Sequence, residues 1–284
     1  MVRQRSFPRY QQGVTLIELM VGIALGLMVI AVAMVALMTS RSISGTVSDA
    51  SAMQQQAAYA FDVIGRQIRQ AGSLELSLNP DFSFSSSNIT FDALQPVAFD
   101  APDPTGTRPP FDRKVNTLSG TTTPAFTVGY QNYTESIKPA GTQITESQLR
   151  DCLGQNPGKA TPASAPVLSS SFQRNSSNEL VCTGAGGGGT QAIIDNVTDL
   201  QIRYAVQPKG TSTMQYISSP AAIDDWSRVY AVEVCLELTS KESVSVPASA
   251  TYTNCSGDDD ASYDNRLKMV FRSTYQLRSQ GQVD

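Results

Sequence analysis

The apolar residues of the N-terminal part form one uninterrupted run, and beyond it they recur with the period of a helix. From Leu19 to Met38 twenty residues carry no charge. At about 1.5 Å per residue, a helix of that length spans roughly 30 Å, the hydrocarbon thickness of a bilayer. Apolar residues then return every three or four positions up to Gly72, which suits a helix C-cap. The pattern predicts one helix over residues 14–72, membrane-spanning over 14–38 and amphipathic over 39–71. The amphipathic stripe comprises Ile43, Val47, Ala50, Met53, Ala57, Phe61, Ile64, Ile68 and Ala71.

After the helix the pattern changes to the two-residue alternation of β-strands. Alternating apolar and polar residues fill Leu200–Val206 and Val229–Leu238, and a last apolar face runs from Leu267 to Leu277. One apolar face per strand indicates a sheet that is covered on one side, and the amphipathic half of the helix is the natural cover. We therefore expect an α+β fold, in which the helix packs on a mostly antiparallel sheet. The loop-rich residues 73–189 contain only short strand-like runs, at Ile89–Leu94, Phe126–Tyr130 and Leu180–Cys182.

Charge predicts how the chain is oriented in a membrane. The arginines Arg3, Arg5 and Arg9 precede the apolar run, and only Arg41 follows it closely. Because positive residues favour the cytoplasmic side, the N-terminus is expected there and the head, residues 73–284, on the periplasmic side. The net charge of −4 gives the protein no general attraction to nucleic acid, so no direct nucleic-acid partner is expected.

Composition also limits the chemistry. The chain has no histidine, which removes the usual general base at neutral pH and the commonest metal ligand. Carboxylate or lysine chemistry stays open, so the missing histidine makes an enzyme less expected without excluding one. We expect neither an enzyme nor a cofactor or metal site. The four cysteines have no close C-x-x-C spacing, and an even count in an exported chain favours two disulfides. Three pairings are open, and pairing between neighbours along the chain would join Cys152 to Cys182 and Cys235 to Cys255.

Glu18 lies at the start of the apolar segment. A secretory signal peptide would have a shorter apolar core, and a plain signal anchor gives no reason for the carboxylate. A carboxylate in lipid costs at least a few kcal/mol unless another group pairs with it, so such residues are usually functional.

The six residues from Gly13 to Glu18, Gly-Val-Thr-Leu-Ile-Glu, resemble the type IV prepilin signature that precedes an apolar helix. The resemblance implies that a dedicated membrane peptidase removes a leader, residues 1–13, and N-methylates the new terminus at Val14. Members of the family more often begin with phenylalanine or methionine. In a filament, Glu18 would neutralise the terminal amine of a neighbouring subunit, so that neither charge is buried alone.

Three C-terminal segments are similar to the PilW type of minor pilin. They are Ile194–Tyr204, which contains Asp-Asn-Val-Thr-Asp-Leu-Gln, then Asp225–Val232 with the single tryptophan, and Phe271–Arg278. The resemblance implies a minor pilin of a type IV pilus, held in the inner membrane before assembly and found in the surface pilus afterwards. It would help to initiate pilus assembly and form part of the tip complex, in pili that serve twitching motility and cell adhesion.

The implied partners are the major pilin, other minor pilins, the prepilin peptidase and the inner-membrane assembly platform, with a PilY-type tip adhesin as a further candidate. One alternative is a type II secretion pseudopilin, which shares the leader and the helix. Another is a surface module that binds a ligand or DNA.

Two further motifs resemble binding sites only superficially. The glycine run Gly184–Gly189 matches the G-x-G-x-x-G pattern of nucleotide-binding loops. Such a loop must be followed by a helix, and here a strand-like run follows it. We expect a flexible loop there. The acidic run Asp258–Asp260 lacks the arrangement of an EF-hand and is expected to form a solvated turn.

Overall fold

The computed structural model describes residues 13–74, 111–121, 125–133, 135–137, 144–147, 149–156, 167–247 and 249–278. The leader residues 1–12 and the strand-like run Ile89–Leu94 lie outside these residues. The chain divides into two units, Met1–Ser48 and Asp49–Asp284.

A single long helix, α1, runs from Leu16 to Gln70. It begins two residues later and ends two residues earlier than the expected range of 14–72. Gly72 adopts a left-handed φ of 69° and interrupts the helical backbone, as expected of a C-cap glycine. No proline occurs within α1, and an 18-residue window of it has a mean hydropathy of 2.7. Within the described residues α1 is the one helix that is long and apolar enough to cross a membrane.

The C-terminal part of α1 buries one face in the core of the second unit. Met53, Ala57, Ala60, Ile64 and Ile68 are almost inaccessible and lie three or four positions apart. They share one cluster with the apolar faces of the sheets. The expected stripe is wrong at its start, since the side chains of Ile43 and Val47 are 60% and 64% exposed. Periodicity shows which face of a helix is apolar, but it does not show from which residue onwards that face is buried.

The C-terminal strands form a four-stranded sheet of order β13-β10-β8-β9, with every pairing antiparallel. The central strand β10 pairs with β8 on one side and β13 on the other. Its inward residues Val232, Val234, Leu236 and Leu238 are fully buried, as the alternation predicted. The strands are β8 (Val197–Val206), β9 (Gln215–Ile217), β10 (Val229–Ser243) and β13 (Arg266–Gln276).

The middle of the chain, expected to be loop-rich, forms a second antiparallel sheet of order β1-β2-β5-β6-β7. The expected runs at Phe126–Tyr130 and Leu180–Cys182 fall inside β2 and β6. The head therefore has two main sheets rather than one, which refines the predicted α+β class. Its strands are β1 (Leu118–Thr121), β2 (Ala125–Gln131), β5 (Val167–Arg174), β6 (Leu180–Gly184) and β7 (Gly189–Ile194).

The remaining elements are short. Two-stranded pairs are formed by β3 (Glu135–Ile137) with β4 (Ile144–Glu146), and by β11 (Thr251–Tyr252) with β12 (Ala261–Ser262). A one-turn helix, α2, covers Arg113–Asn116, and 3₁₀ turns cover Pro220–Ala222 and Trp226–Arg228.

Candidate functional site

The prepilin-like motif lies where α1 begins, and Thr15 and Glu18 close that end of the helix. One Glu18 carboxylate oxygen accepts hydrogen bonds from the Thr15 backbone N–H at 3.1 Å and from the Thr15 hydroxyl at 3.0 Å. The backbone N–H of Glu18 donates back to the Thr15 hydroxyl at 3.3 Å. This reciprocal pattern is a capping box, and it satisfies backbone donors that the first helical turn leaves unpaired.

Thr15 is the residue that sequence reasoning missed. Its signal was present, because Thr15-Leu16-Ile17-Glu18 fits the S/T-x-x-E pattern directly before an apolar run. The capping box gives Glu18 a role within its own subunit. A carboxylate in the first turn also suits the positive end of the helix dipole.

The expected cleavage position is open in the structure. Val14 is 74% exposed, and the flanking Leu16 and Ile17 are similarly exposed. A Cβ atom added to Gly13 would meet no heavy atom within 4 Å. The fold of this chain therefore does not itself require glycine at position 13.

The structure contains two disulfides, Cys152–Cys182 and Cys235–Cys255, each between neighbours along the chain. The first ties the segment before β5 to strand β6. The second anchors the segment between β10 and β13 against the outer face of the four-stranded sheet, where the Arg272 guanidinium donates to the carbonyl oxygens of Asn254 and Cys255.

The glycine-rich run forms the tight connection between β6 and β7, and the buried Asp151 packs against it. The Asp151 carboxylate accepts from the backbone N–H groups of Leu153, Gln155 and Gly186 at 2.8–3.0 Å. A Cβ at Gly184 would lie 2.1 Å from a carboxylate oxygen of Asp151. Glycine is needed at position 184 for this close approach. Residues 185–188 form a turn between the two strands, and the flexibility expected of the run stays a prediction.

A buried polar network connects α1 to the five-stranded sheet. The side-chain oxygen of Gln67 accepts from the Ser170 hydroxyl at 3.0 Å, and its amide nitrogen donates to the Arg150 carbonyl at 3.4 Å. The Tyr130 hydroxyl donates to the same carbonyl, and burial raises the pKa of Tyr130 above its usual value. Ser170 in turn accepts from the backbone N–H of Cys152 at 3.0 Å.

Polar contacts also connect the C-terminal part of α1 to the end of β10 and to the turn before β8. The Asp195 carboxylate accepts from the Gln56 amide at 2.6 Å and pairs with the Lys241 ammonium at 2.8 Å. The hydrogen bond from Lys241 holds the pKa of Asp195 below its usual range. The backbone N–H of Glu242 donates to Asp49 at 3.2 Å. The helix is therefore fixed to the head by charged and polar contacts as well as by apolar packing.

The single tryptophan, Trp226, is partly buried and packs against the core. Its ring meets the ring of Tyr204 edge-on, at a centroid distance of 5.0 Å. Both side chains crowd Gly120, where an added Cβ would lie 2.4 Å from the Tyr204 hydroxyl. The acidic run Asp258–Asp260 is exposed, and no cluster of acidic residues and cysteines in the described parts of the chain could hold a metal ion.

Comparison with known proteins gives two family matches. Residues 163–279 match the model of the type IV pilus-assembly protein W, and residues 8–34 match the prokaryotic N-terminal methylation motif. No curated protein matches the chain. A solved structure with similarity to it is the type IV-like pilin TTHA1219 from Thermus thermophilus. That likeness has 13% sequence identity and a TM-score of 0.31, and it covers 58% of this chain and 85% of the other.

A long N-terminal helix with an apolar first part, a methylation motif at its start and an antiparallel β head define a type IV pilin-like protein. Its apolar helix and methylation motif make it an inner-membrane-anchored pilin. The match of residues 163–279 to the PilW model supports a pilin of the PilW type. Pilin-like families are structural and non-enzymatic, and their members interact with other pilus components and with membrane assembly machinery.

Proposed function

We propose that this chain is a minor pilin that helps to initiate assembly of a type IV pilus and forms part of its tip complex. The observation that carries the proposal is the combination of the PilW match over residues 163–279 with a methylation motif at the start of α1. The protein acts as a structural subunit and not as an enzyme.

The first step in this role is processing. The prepilin peptidase cleaves the leader, residues 1–13, between Gly13 and Val14 and methylates the new amine of Val14. The exposure of Val14 supports this step, because the peptide bond before it is accessible. Before assembly the helix holds the head in the periplasm, with the N-terminus on the cytoplasmic side.

Assembly follows from the charges at the helix start. Cleavage leaves a positive amine at Val14, four residues before Glu18. In a filament, Glu18 pairs with the amine of a neighbouring subunit, because an ion pair avoids two isolated charges in an apolar environment. The Leu19–Met38 segment supplies apolar packing with the major pilin and other minor pilins on the assembly platform. The head presents the surface for tip partners, among them a PilY-type adhesin.

Processing is tested by expressing the full chain with an active or an inactivated prepilin peptidase and sequencing its N-terminal peptide by mass spectrometry. A terminus at Val14 with one extra methyl group is expected, and Gly13→Arg should abolish it. Retention of Met1 with the active peptidase, or a cut beyond Met38, would contradict the proposal.

The role in assembly is tested by deleting the gene in its host. Loss of surface pili with normal protein secretion, restored by the wild-type chain but not by Glu18→Gln, is expected. Blocked secretion with normal pili would instead indicate a type II secretion pseudopilin. Normal pili and normal secretion together with lost binding of DNA or a surface ligand would indicate a binding module.

A further inference from the structure

A groove lies between the C-terminal part of α1 and strand β7, which forms one edge of the five-stranded sheet. It consists of two hollows of about 500 Å³ and 380 Å³, and both are lined by Tyr59, Ala192 and Ile193. The larger hollow extends to Gln55 and Asp195, and the smaller extends to Gln70 and Arg150. The two hollows therefore form one groove beside β7, which follows the chain from Gln191 to Asp195.

The groove gives access to the unpaired edge of β7. β7 pairs with β6 on one side and is the last strand in the sheet order, so no described strand pairs with its other edge. Residues Gly189–Ala192 are exposed. An exposed strand edge carries free backbone donors and acceptors, and an extended chain can bind to them as an added strand.

The size of the groove suits a short extended peptide. From Gln55 to Gln70 the helix rises by about 22 Å at 1.5 Å per residue. At about 3.3 Å per residue, six or seven residues of extended chain cover the same distance. β7 itself has six residues.

The side chains along the groove define the chemistry of its occupant. Tyr59 in the middle is 56% exposed and lies near the partly buried Ile193, which gives an apolar contact for one side chain. In the smaller hollow, the exposed guanidinium of Arg150 forms no ion pair within the described residues. Asp151 also lines this hollow, but its carboxylate is buried and accepts hydrogen bonds from three backbone N–H groups. At the opposite end, Asp195 is already neutralised by Lys241. The groove is therefore complementary to a segment with negative charge at the Arg150 end.

We propose that this groove is a docking site for an extended acidic segment of a partner protein, which adds to β7 as an antiparallel strand. Since β7 runs from the Arg150 end to the Asp195 end, an antiparallel segment places its C-terminal part at Arg150. All pairings within this sheet are antiparallel, so the added strand continues its pattern. This binding goes beyond the proposed assembly role, because the head has the groove whether or not the chain enters a filament.

The test uses the full chain in detergent micelles and two fluorescent seven-residue peptides of alternating valine and threonine. One ends in two glutamates and the other begins with them, and binding is followed by fluorescence polarisation. We expect saturable binding that is stronger for the peptide with C-terminal glutamates. Arg150→Glu and Tyr59→Ala should each weaken it by about ten-fold or more, equivalent to about 1.4 kcal/mol. Arg69→Glu, a charge change on α1 outside the groove, should leave it unchanged.

Several results would overturn the proposal. They are the absence of saturable binding, equal binding by the Arg150→Glu variant, and undiminished binding of a peptide whose backbone nitrogens are methylated. Self-association of the chain that Arg150→Glu and Tyr59→Ala abolish would make a second copy the occupant and would also contradict it. Both substitutions are at exposed positions, and an unchanged unfolding midpoint confirms that any lost binding is not lost folding.

Discussion

The ring of Tyr275 occupies the space where a side chain at Gly65 would stand. A Cβ at Gly65 would lie 2.5 Å from a ring carbon of Tyr275. The Tyr275 hydroxyl donates to the carbonyl oxygen of Phe61 at 2.8 Å, one helical turn before Gly65. This contact seats the last strand, β13, directly against the backbone of α1, and it explains why the helix has a glycine in a buried position.

Gly65→Ala therefore sets two effects against each other. Alanine is favoured over glycine in a helix by about 1 kcal/mol, whereas forcing a methyl group into a filled site costs roughly 1–3 kcal/mol. Because the ring is held by its hydrogen bond, we expect the clash to outweigh the gain and the head to lose up to about 2 kcal/mol of its free energy of unfolding. The measurement is chemical denaturation of the full chain in detergent. Gly22→Ala, at an open helical position, should not lower the stability of the head.

A second variant at the same contact separates the two effects. Tyr275→Leu removes the aromatic ring, so Gly65→Ala should become neutral or stabilising in that background. An equal loss in both backgrounds would show that Tyr275 is not the obstacle.

The Gln67 network predicts a larger loss of stability than its individual hydrogen bonds suggest. Gln67→Leu would leave the buried Ser170 hydroxyl without its acceptor, and a buried unpaired polar group costs about 1–3 kcal/mol. We expect a loss in that range in the free energy of unfolding. Adding Ser170→Ala to Gln67→Leu should recover part of it. If Gln67→Leu is neutral by itself, the network does not stabilise the head.

Asp195 makes the stability of the head depend on pH. Its folded-state pKa is lowered, first by the hydrogen bond from Lys241. The pair therefore stabilises the fold above the unfolded pKa of about 4, and the contribution is lost as the pH falls through the folded pKa. Since the two side chains are 43% and 63% exposed, water screens the pair, and we expect its contribution to stability at neutral pH to be small.

This dependence is measured as the free energy of unfolding between pH 7 and pH 2. Asp195→Asn should reduce the fall in the free energy of unfolding at acid pH, and Lys241→Met should reduce it as well. The double variant should lose no more than either single one, because both changes remove one interaction. Additive losses would mean that the two residues act separately.

The sequence predicted the elements whose burial follows a simple period. The C-terminal part of α1 and the strands β8, β10 and β13 present apolar residues at regular intervals, and their positions were correct. Strand β5 was missed because its fully buried positions include Ser170, a polar residue that is satisfied by Gln67, far away in the chain. A pattern of apolar residues cannot show a partner that only the tertiary fold supplies.

The candidate sites also divide into those that a local sequence motif predicts and those that only the tertiary fold creates. Gly13, Val14 and Glu18 were proposed from a local motif, and their processing and assembly roles stay predictions. The groove beside β7 could not be predicted from the sequence, because it depends on which strand lies at the edge of the sheet and on the helix beside that strand. The need for glycine at Gly184 was hidden for a similar reason, since the buried Asp151 that fills the space is distant in sequence.

The capping box yields a prediction that separates folding of the helix from assembly of the pilus. Thr15→Val keeps the shape of the side chain but removes the hydroxyl that accepts from the Glu18 N–H, and such caps contribute about 1 kcal/mol. We expect roughly five-fold faster amide hydrogen exchange in the first turn of α1, measured in micelles, as that energy implies. Thr15→Ser should exchange like the wild type, and Thr39→Val, further along the helix, should leave the first turn unchanged.

Glu18→Gln can still accept through its amide oxygen, so it should weaken the cap less than it impairs pilus assembly. Equal losses of capping and assembly across these variants would mean that Glu18 acts only by capping its own helix.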